Sequence, residues 1–302
     1  MNNIFEPKKI DALIQLAIDE DIGTGDITTA NLLPDGLAAT GVFLAKGSGV
    51  VAGLPVVEYF FSRLDTSVLI NRAVREGAFV HAGEIIATIS GRARTLLTGE
   101  RIALNFLQRL SGIATITAQF VEKIKPMKTA IMDTRKTTPG WRYLEKYAVI
   151  TGGGVNHRMG LYDQVLVKDN HLDIMKDRPG SDAPPSTNVI ETVVSTLRKK
   201  VKEGVLIEVE TRTLDEVYDA LKSGADIILF DNMDVARLKE AVSLVKGWNV
   251  PHKPLTEASG NISLENVRQV AETGIDRISI GAITHSARAL DISLEINLTK
   301  NV

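Results

Sequence analysis

Six side chains that are cationic or can become so, Arg135, Lys136, His157, Arg158, Lys168 and His171, lie at or just beyond the ends of apolar runs in this 302-residue chain. Glu210 and Asp231 occupy matching positions, with Glu257 as a third acid of the same kind. At least five cations and two carboxylates converging on one face suit a heavily anionic substrate, with a divalent metal between part of it and the acids. The segments EASGN (257–261) and SIGAITHS (279–286) are small, glycine-containing turns, and the backbone N–H groups of such turns bind phosphate readily. The chemistry that fits is a phosphorylated sugar carrying a diphosphate, met by a second anionic partner. Singly the residues say less. Lys168 alone would also suit a Schiff-base aldolase, Glu210 and Asp231 could simply pair with the cations, and the triple glycine 152–154 lacks the Gly-Lys-Ser/Thr ending of a P-loop.

The elements that must position these residues follow two grammars. Ile10, Leu13, Ile14 and Ala17 share one helical face, so the chain opens with an amphipathic helix. From about 40 to 92, short apolar runs punctuated by glycine predict strands and hairpins, and 99–121 returns to a helical period. The stretch VREGAFVHAGEIIATISG (74–91) has the form of a biotinyl or lipoyl hairpin, but no lysine lies between Glu76 and Arg92 to be modified. A plain structural hairpin is the expectation, with a carrier module as the rival.

Beyond 125 the pattern becomes strand, loop, helix, repeated. Six runs, KTAIMDT, QVLVKDN, VLIEVE, DIILFDN, PLTEAS and DRISIG, are nearly all apolar until a polar last residue or two. Strands buried on both faces of a parallel sheet look like this. The expected fold is α/β: an N-terminal α+β sandwich-like domain (1–115), then an incomplete, six- or seven-stranded parallel α/β barrel (116–285). Residues 286–302 are expected to pack back on the first domain. In such a barrel the carboxyl ends of the strands form the active face. Residues 175–188, rich in proline, glycine and serine, interrupt the rhythm and are expected to be a surface insertion or a lid.

Composition limits the alternatives. With 44% hydrophobic and 24% charged residues the chain is globular, and a formal charge of −2 gives no field to recruit nucleic acid. The absence of cysteine excludes disulfides, thiolate zinc sites and a cysteine nucleophile. Acids within the amino-terminal apolar segment argue against a secretory signal, and no apolar run approaches the ~20 residues that span a bilayer. A cytoplasmic protein with no membrane partner is the expectation.

The motifs DTRKTTPG (133–140), KYAVITGGGVNHRMGLYDQVLVKDNH (146–171), IEVE (207–210), ILFDN (228–232), EASGN and GAITHSARALDISL (281–294) closely resemble quinolinate phosphoribosyltransferase, the carboxylating nicotinate-nucleotide pyrophosphorylase. AIDEDIGTGDITT (17–29) and GERIALNFLQRLSGIAT (99–115) fit as well, so the likeness covers nearly the whole chain. It implies a magnesium-dependent pentosyltransferase of de novo NAD synthesis. Quinolinate and phosphoribosyl pyrophosphate would give nicotinate mononucleotide, pyrophosphate and carbon dioxide. It also implies a homodimer with shared sites. Carried over by motif, Arg135, His157 and Arg158 would bind the quinolinate carboxylates, with Arg101 entering from the neighbouring subunit. Lys136 and Lys168 would lie where substrate and diphosphate charges meet, and Glu210 and Asp231 around magnesium and the ribose. Ser259, Gly260 and Gly281 would hold the 5′-phosphate, with His285 nearby. Asn261 stands where many relatives have a second glycine, and asparagine tolerates positive φ. A molybdenum-transport paralogue of the same fold is the nearest alternative.

Overall fold

The computed structural model of the chain describes residues 5–176, 188–250 and 252–298. The strands, in chain order, are β1 (Ala38–Ala45), β2 (Gly49–Val50), β3 (Leu69–Arg72), β4 (Phe79–Val80), β5 (Ile85–Arg92), β6 (Ala130–Met132), β7 (Val165–Val167), β8 (Ile207–Thr211), β9 (Ile227–Asp231), β10 (Leu255–Ser259), β11 (Arg277–Ser279) and β12 (Ile292–Leu298). They divide between two compact units. The first comprises the described parts of 1–118, 136–154 and 282–302; the second comprises 119–135 and the described parts of 155–281.

In the first unit, β12, β1, β5 and β3 form an antiparallel sheet in that order. Burial along β1 alternates, with Phe43 and Ala45 fully enclosed, as expected where one face packs on a core and the other meets water. The opening helix, Asp11–Asp21, buries Ile14, and Ile10 just before it is also buried. The helix Ala93–Lys123 runs for 31 residues. Gly112 on it lets Arg288 approach, since a Cβ there would lie 2.0 Å from the Arg288 carbonyl oxygen.

The expected hairpin at 74–91 is not one. β4 pairs with β2 in a separate two-stranded ribbon, whereas β5 lies between β1 and β3. The physical reason is that β1 and β3 occupy both edges of β5, which leaves β4 no free edge there. The His81 N–H donates to the Glu84 carboxylate at 2.9 Å and the Glu84 N–H to the His81 carbonyl at 3.1 Å, which redirects the chain from one sheet to the other.

The second unit holds the six expected parallel strands, in the order β6-β11-β10-β9-β8-β7. β8 is buried along its whole length, and β9 over its first four residues. A single parallel bridge, Met132 to Val155, extends the pairing on the free side of β6. Most of the 175–188 insertion, residues 177–187, lies outside the described residues. Among the described residues no helix is long and apolar enough to cross a membrane.

Candidate active site

Parallel pairing sends every carboxyl end of the second unit's sheet to one edge, and the predicted side chains that belong to this unit are gathered there. Arg135 follows β6, Lys168 follows β7, and Glu210 and Asp231 lie in the last two residues of β8 and β9. Ser259 ends β10, Gly260 follows it, and Gly281 comes two residues after β11. Val155, bridged to Met132, delivers Asn156, His157 and Arg158 in the same way. The register places Glu210, Leu229, Glu257, Arg277 and Ala130 in one row across the sheet, and Asp231, Ser259, Ser279 and Met132 in a row two residues on. Because side chains alternate along a strand, these rows and Glu208 share one face.

The cationic corner is built on a buried acid. Asp133, fully enclosed, accepts the His157 N–H at 2.8 Å and so ties the Asn156–Arg158 segment to the end of β6. The Arg158 guanidinium donates to the Gln164 carbonyl at 3.0 Å and is 8% exposed as a residue. Burial and then the like charge of Arg135 push Arg158 below the usual arginine range, against the pull of Glu208 and Asp163. Like charge of this kind at a strand end suits an anionic ligand.

On the anionic side, the Lys168 ammonium lies 3.3 Å from the Glu210 carboxylate. Burial raises Glu210 above the usual carboxylate range; Lys168 opposes the rise and Asp231 adds to it. Asp231 accepts from the Asn232 side chain at 2.8 Å. These are hard oxygen donors at the ends of neighbouring strands, and they fit a magnesium ion, which uses few carboxylates and keeps several waters. The His171 ring is turned back to accept the Lys168 backbone N–H at 2.9 Å.

The turn after β10 is constrained by its neighbour. Gly260 has φ +95°, and a Cβ on it would come within 2.1 Å of the Asn232 side-chain oxygen. Asn261, at φ +52°, takes up the left-handed conformation and donates to that same oxygen at 3.1 Å.

Three predicted residues belong to the first unit: Arg101, exposed on the helix Ala93–Lys123; Lys136, exposed; and His285, exposed, with its Nδ1 2.6 Å from the Ser286 hydroxyl. The Lys136 loop has supports that the sequence did not single out. Buried Glu145 accepts from Arg109 at 2.8 Å and from the Thr138 hydroxyl at 2.9 Å, while the Thr284 hydroxyl donates to the Lys136 carbonyl at 2.7 Å.

The sequence reading also passed over Glu208, Gln164, Arg277 and Ser279. Glu208 and Glu257 are fully buried, and His157 Nε2 lies 3.1 Å from one and 3.4 Å from the other. The signal was available. Glu208 stands two residues before Glu210 in an otherwise apolar strand, hence on the same face, as do Arg277 and Ser279.

Comparison with known proteins agrees across the chain. Residues 26–111 and 113–295 match the N-terminal and C-terminal domains, respectively, of the family described as quinolinate phosphoribosyl transferase. A chloroplastic nicotinate-nucleotide pyrophosphorylase [carboxylating] of Arabidopsis thaliana is 41% identical, over 95% of this chain and 82% of the relative. A probable nicotinate-nucleotide pyrophosphorylase [carboxylating] of Synechocystis is 43% identical, over 95% of this chain and 92% of the relative. The crystal structure of NadC from Streptococcus pyogenes superposes with a TM-score of 0.89 at 34% identity, over 98% of this chain and 99% of that one.

Proposed function

The chain belongs to the quinolinate phosphoribosyltransferase family, and on that premise we propose how its strand-end residues divide the family's reaction among them. The enzyme transfers the phosphoribosyl group of phosphoribosyl pyrophosphate to quinolinate in de novo NAD synthesis, releasing pyrophosphate and carbon dioxide. The bond from the anomeric carbon to the diphosphate breaks, the pyridine nitrogen bonds to that carbon, and the adjacent carboxylate leaves as carbon dioxide while a proton takes its place.

The observation that carries the assignment is the enclosed Arg158 beside Arg135. Guanidinium forks match planar carboxylates two hydrogen bonds at a time, so the pair suits a flat dicarboxylate whose charge relieves their repulsion. A cationic wall also supports the electron density left on the ring by decarboxylation. His157 belongs to this subsite, and Arg101 completes it from the partner subunit of a homodimer. Lys168, ion-paired with Glu210, and Lys136 meet the diphosphate. Glu210 and Asp231 stabilise the cationic sugar as the bond to the leaving group breaks, and they would hold magnesium, which when bound takes up diphosphate charge. The turns at Ser259–Gly260 and Gly281 hold the 5′-phosphate, with His285 nearby. Lys168 is half exposed and paired with an acid, unlike a Schiff-base lysine in an apolar pocket.

The test is direct. Purified protein with quinolinate, phosphoribosyl pyrophosphate and magnesium should form nicotinate mononucleotide and carbon dioxide one for one. Nucleotide formed without decarboxylation, or from another base in preference, would refute the assignment.

A further inference from the structure

The cluster beneath the cationic corner combines two enclosed carboxylates and one imidazole. His157 Nε2 faces both Glu208 and Glu257, at 3.1 and 3.4 Å. The other ring nitrogen, Nδ1, accepts the Arg158 backbone N–H at 2.7 Å. Gln164 donates to Glu208 at 2.7 Å, Ser279 donates to Glu257, and the Arg277 guanidinium stands 4.0 Å from the second oxygen of Glu257. We propose that Glu208 and Glu257 are positioning residues, holding the Nε2–H of His157 so that the Asn156–Arg158 segment presents Arg158 to the dicarboxylate. This rests on the function proposed above.

The position of the ring's proton is decisive. A nitrogen that accepts an N–H has no proton of its own, so in the neutral ring the hydrogen is on Nε2, between the two acids. The same nitrogen cannot then offer a lone pair to a metal, although the three residues have ligand atoms within 4.8 Å of one another. Burial opposes charging of the ring, while hydrogen bonds to Glu208 and Glu257 raise its proton affinity to about 9. That would favour an imidazolium, but a second proton on Nδ1 would break the Arg158 bond, and the geometry therefore decides for the neutral tautomer. Glu257 is held in turn by the Ser279 hydroxyl and lies near Arg277. His157 is the middle link. Its backbone N–H holds the Asp133 carboxylate, its ring anchors the next peptide, and its far nitrogen is fixed by the acid pair.

Nitrogen-15 NMR of the full-length protein labelled at histidine tests the tautomer. His157 should show a bare Nδ1 and a protonated Nε2 throughout about pH 6 to 8, where a free histidine titrates. An Nδ1–H or an imidazolium signal overturns the proposal. Kinetics test the consequence. Glu257→Gln should raise the quinolinate KM about tenfold or more, equivalent to ~1.4 kcal/mol, and leave the phosphoribosyl pyrophosphate KM within about twofold. Glu257→Leu, with no acceptor, should be worse. If these variants fail to fold, Ser279→Ala should shift the quinolinate KM in the same direction by less. Both constants moving together would mean a merely structural role and overturn the proposal, as would stoichiometric binding of zinc lost in Glu208→Gln. Wild-type protein that makes no nucleotide would instead remove the proposed function, while the tautomer measurement would stand by itself.

Discussion

Replacing Arg158 by lysine keeps a positive charge and removes the fork, so it separates recognition of a carboxylate from simple attraction. Arg158 is nearly enclosed and already gives one N–H to the Gln164 carbonyl at 3.0 Å. Lysine is shorter and a point donor, and cannot reach both that carbonyl and a substrate carboxylate in parallel. Two losses follow. The Gln164 bond is a net ~0.5–1.5 kcal/mol of stability, a modest fall in melting temperature. One charge-assisted contact to quinolinate is ~1.5–3 kcal/mol, or roughly tenfold to over a hundredfold in affinity. The neighbouring Arg135 adds nothing to the loss, because its repulsion acts on either cation. Binding of phosphoribosyl pyrophosphate should be nearly intact, since its phosphate is assigned to the turns at Ser259–Gly260 and Gly281. Each substrate is titrated separately into the folded variant by calorimetry. Equal weakening of both would refute the reasoning and make Arg158 part of a shared electrostatic wall.

Three further outcomes are expected. Gly260→Ala should weaken phosphoribosyl pyrophosphate binding by tenfold or more, of order 1–2 kcal/mol for an L-residue at positive φ, and the collision with Asn232 adds to it; Asn261→Gly, losing one exposed 3.1 Å hydrogen bond, should stay within about threefold. Calorimetric titration of both variants checks this, and similar losses would contradict it. Magnesium binding should strengthen as pH rises through the raised pKa of Glu210 and then level off, because the ion binds the ionised carboxylate. In Lys168→Met the inflection should move higher, since a charge that lowers Glu210 is gone; a downward move in magnesium titrations would contradict this. Mixing Arg101→Ala chains with Lys136→Ala chains should restore some turnover through one hybrid site, and no recovery in verified heterodimers would place Arg101 in its own chain's site.

The six parallel strands and their carboxyl-end residues were legible because both follow from chain-local physics. An apolar run of strand length that ends in a polar residue announces a buried strand and the edge at which it emerges, as Ile227–Asp231 does. The ribbon formed by β2 and β4 was not legible, since Phe79–Val80 is short, its partner Gly49–Val50 is distant in sequence, and both edges of β5 are taken by other strands. The support of Lys136 by Arg109, Glu145 and Thr284 was equally hidden, because its members are scattered from 109 to 284 in the sequence.

Glu208 shows a different kind of omission. Reading a strand for its end favours Glu210, the residue at the active edge, and treats the acid two positions earlier as background. Yet an acid inside a fully buried strand needs more explanation than one at its tip, since an ionised carboxylate without partners is costly to enclose. Alternation puts Glu208 and Glu210 on one face at different depths. The outer acid meets Lys168, and the inner one meets His157 and Gln164. The same two-residue step recurs in β10, with Glu257 inside and Ser259 at the end. In β8 and β10 alike, one residue reaches the carboxyl edge and an acid two positions earlier lies buried beneath it.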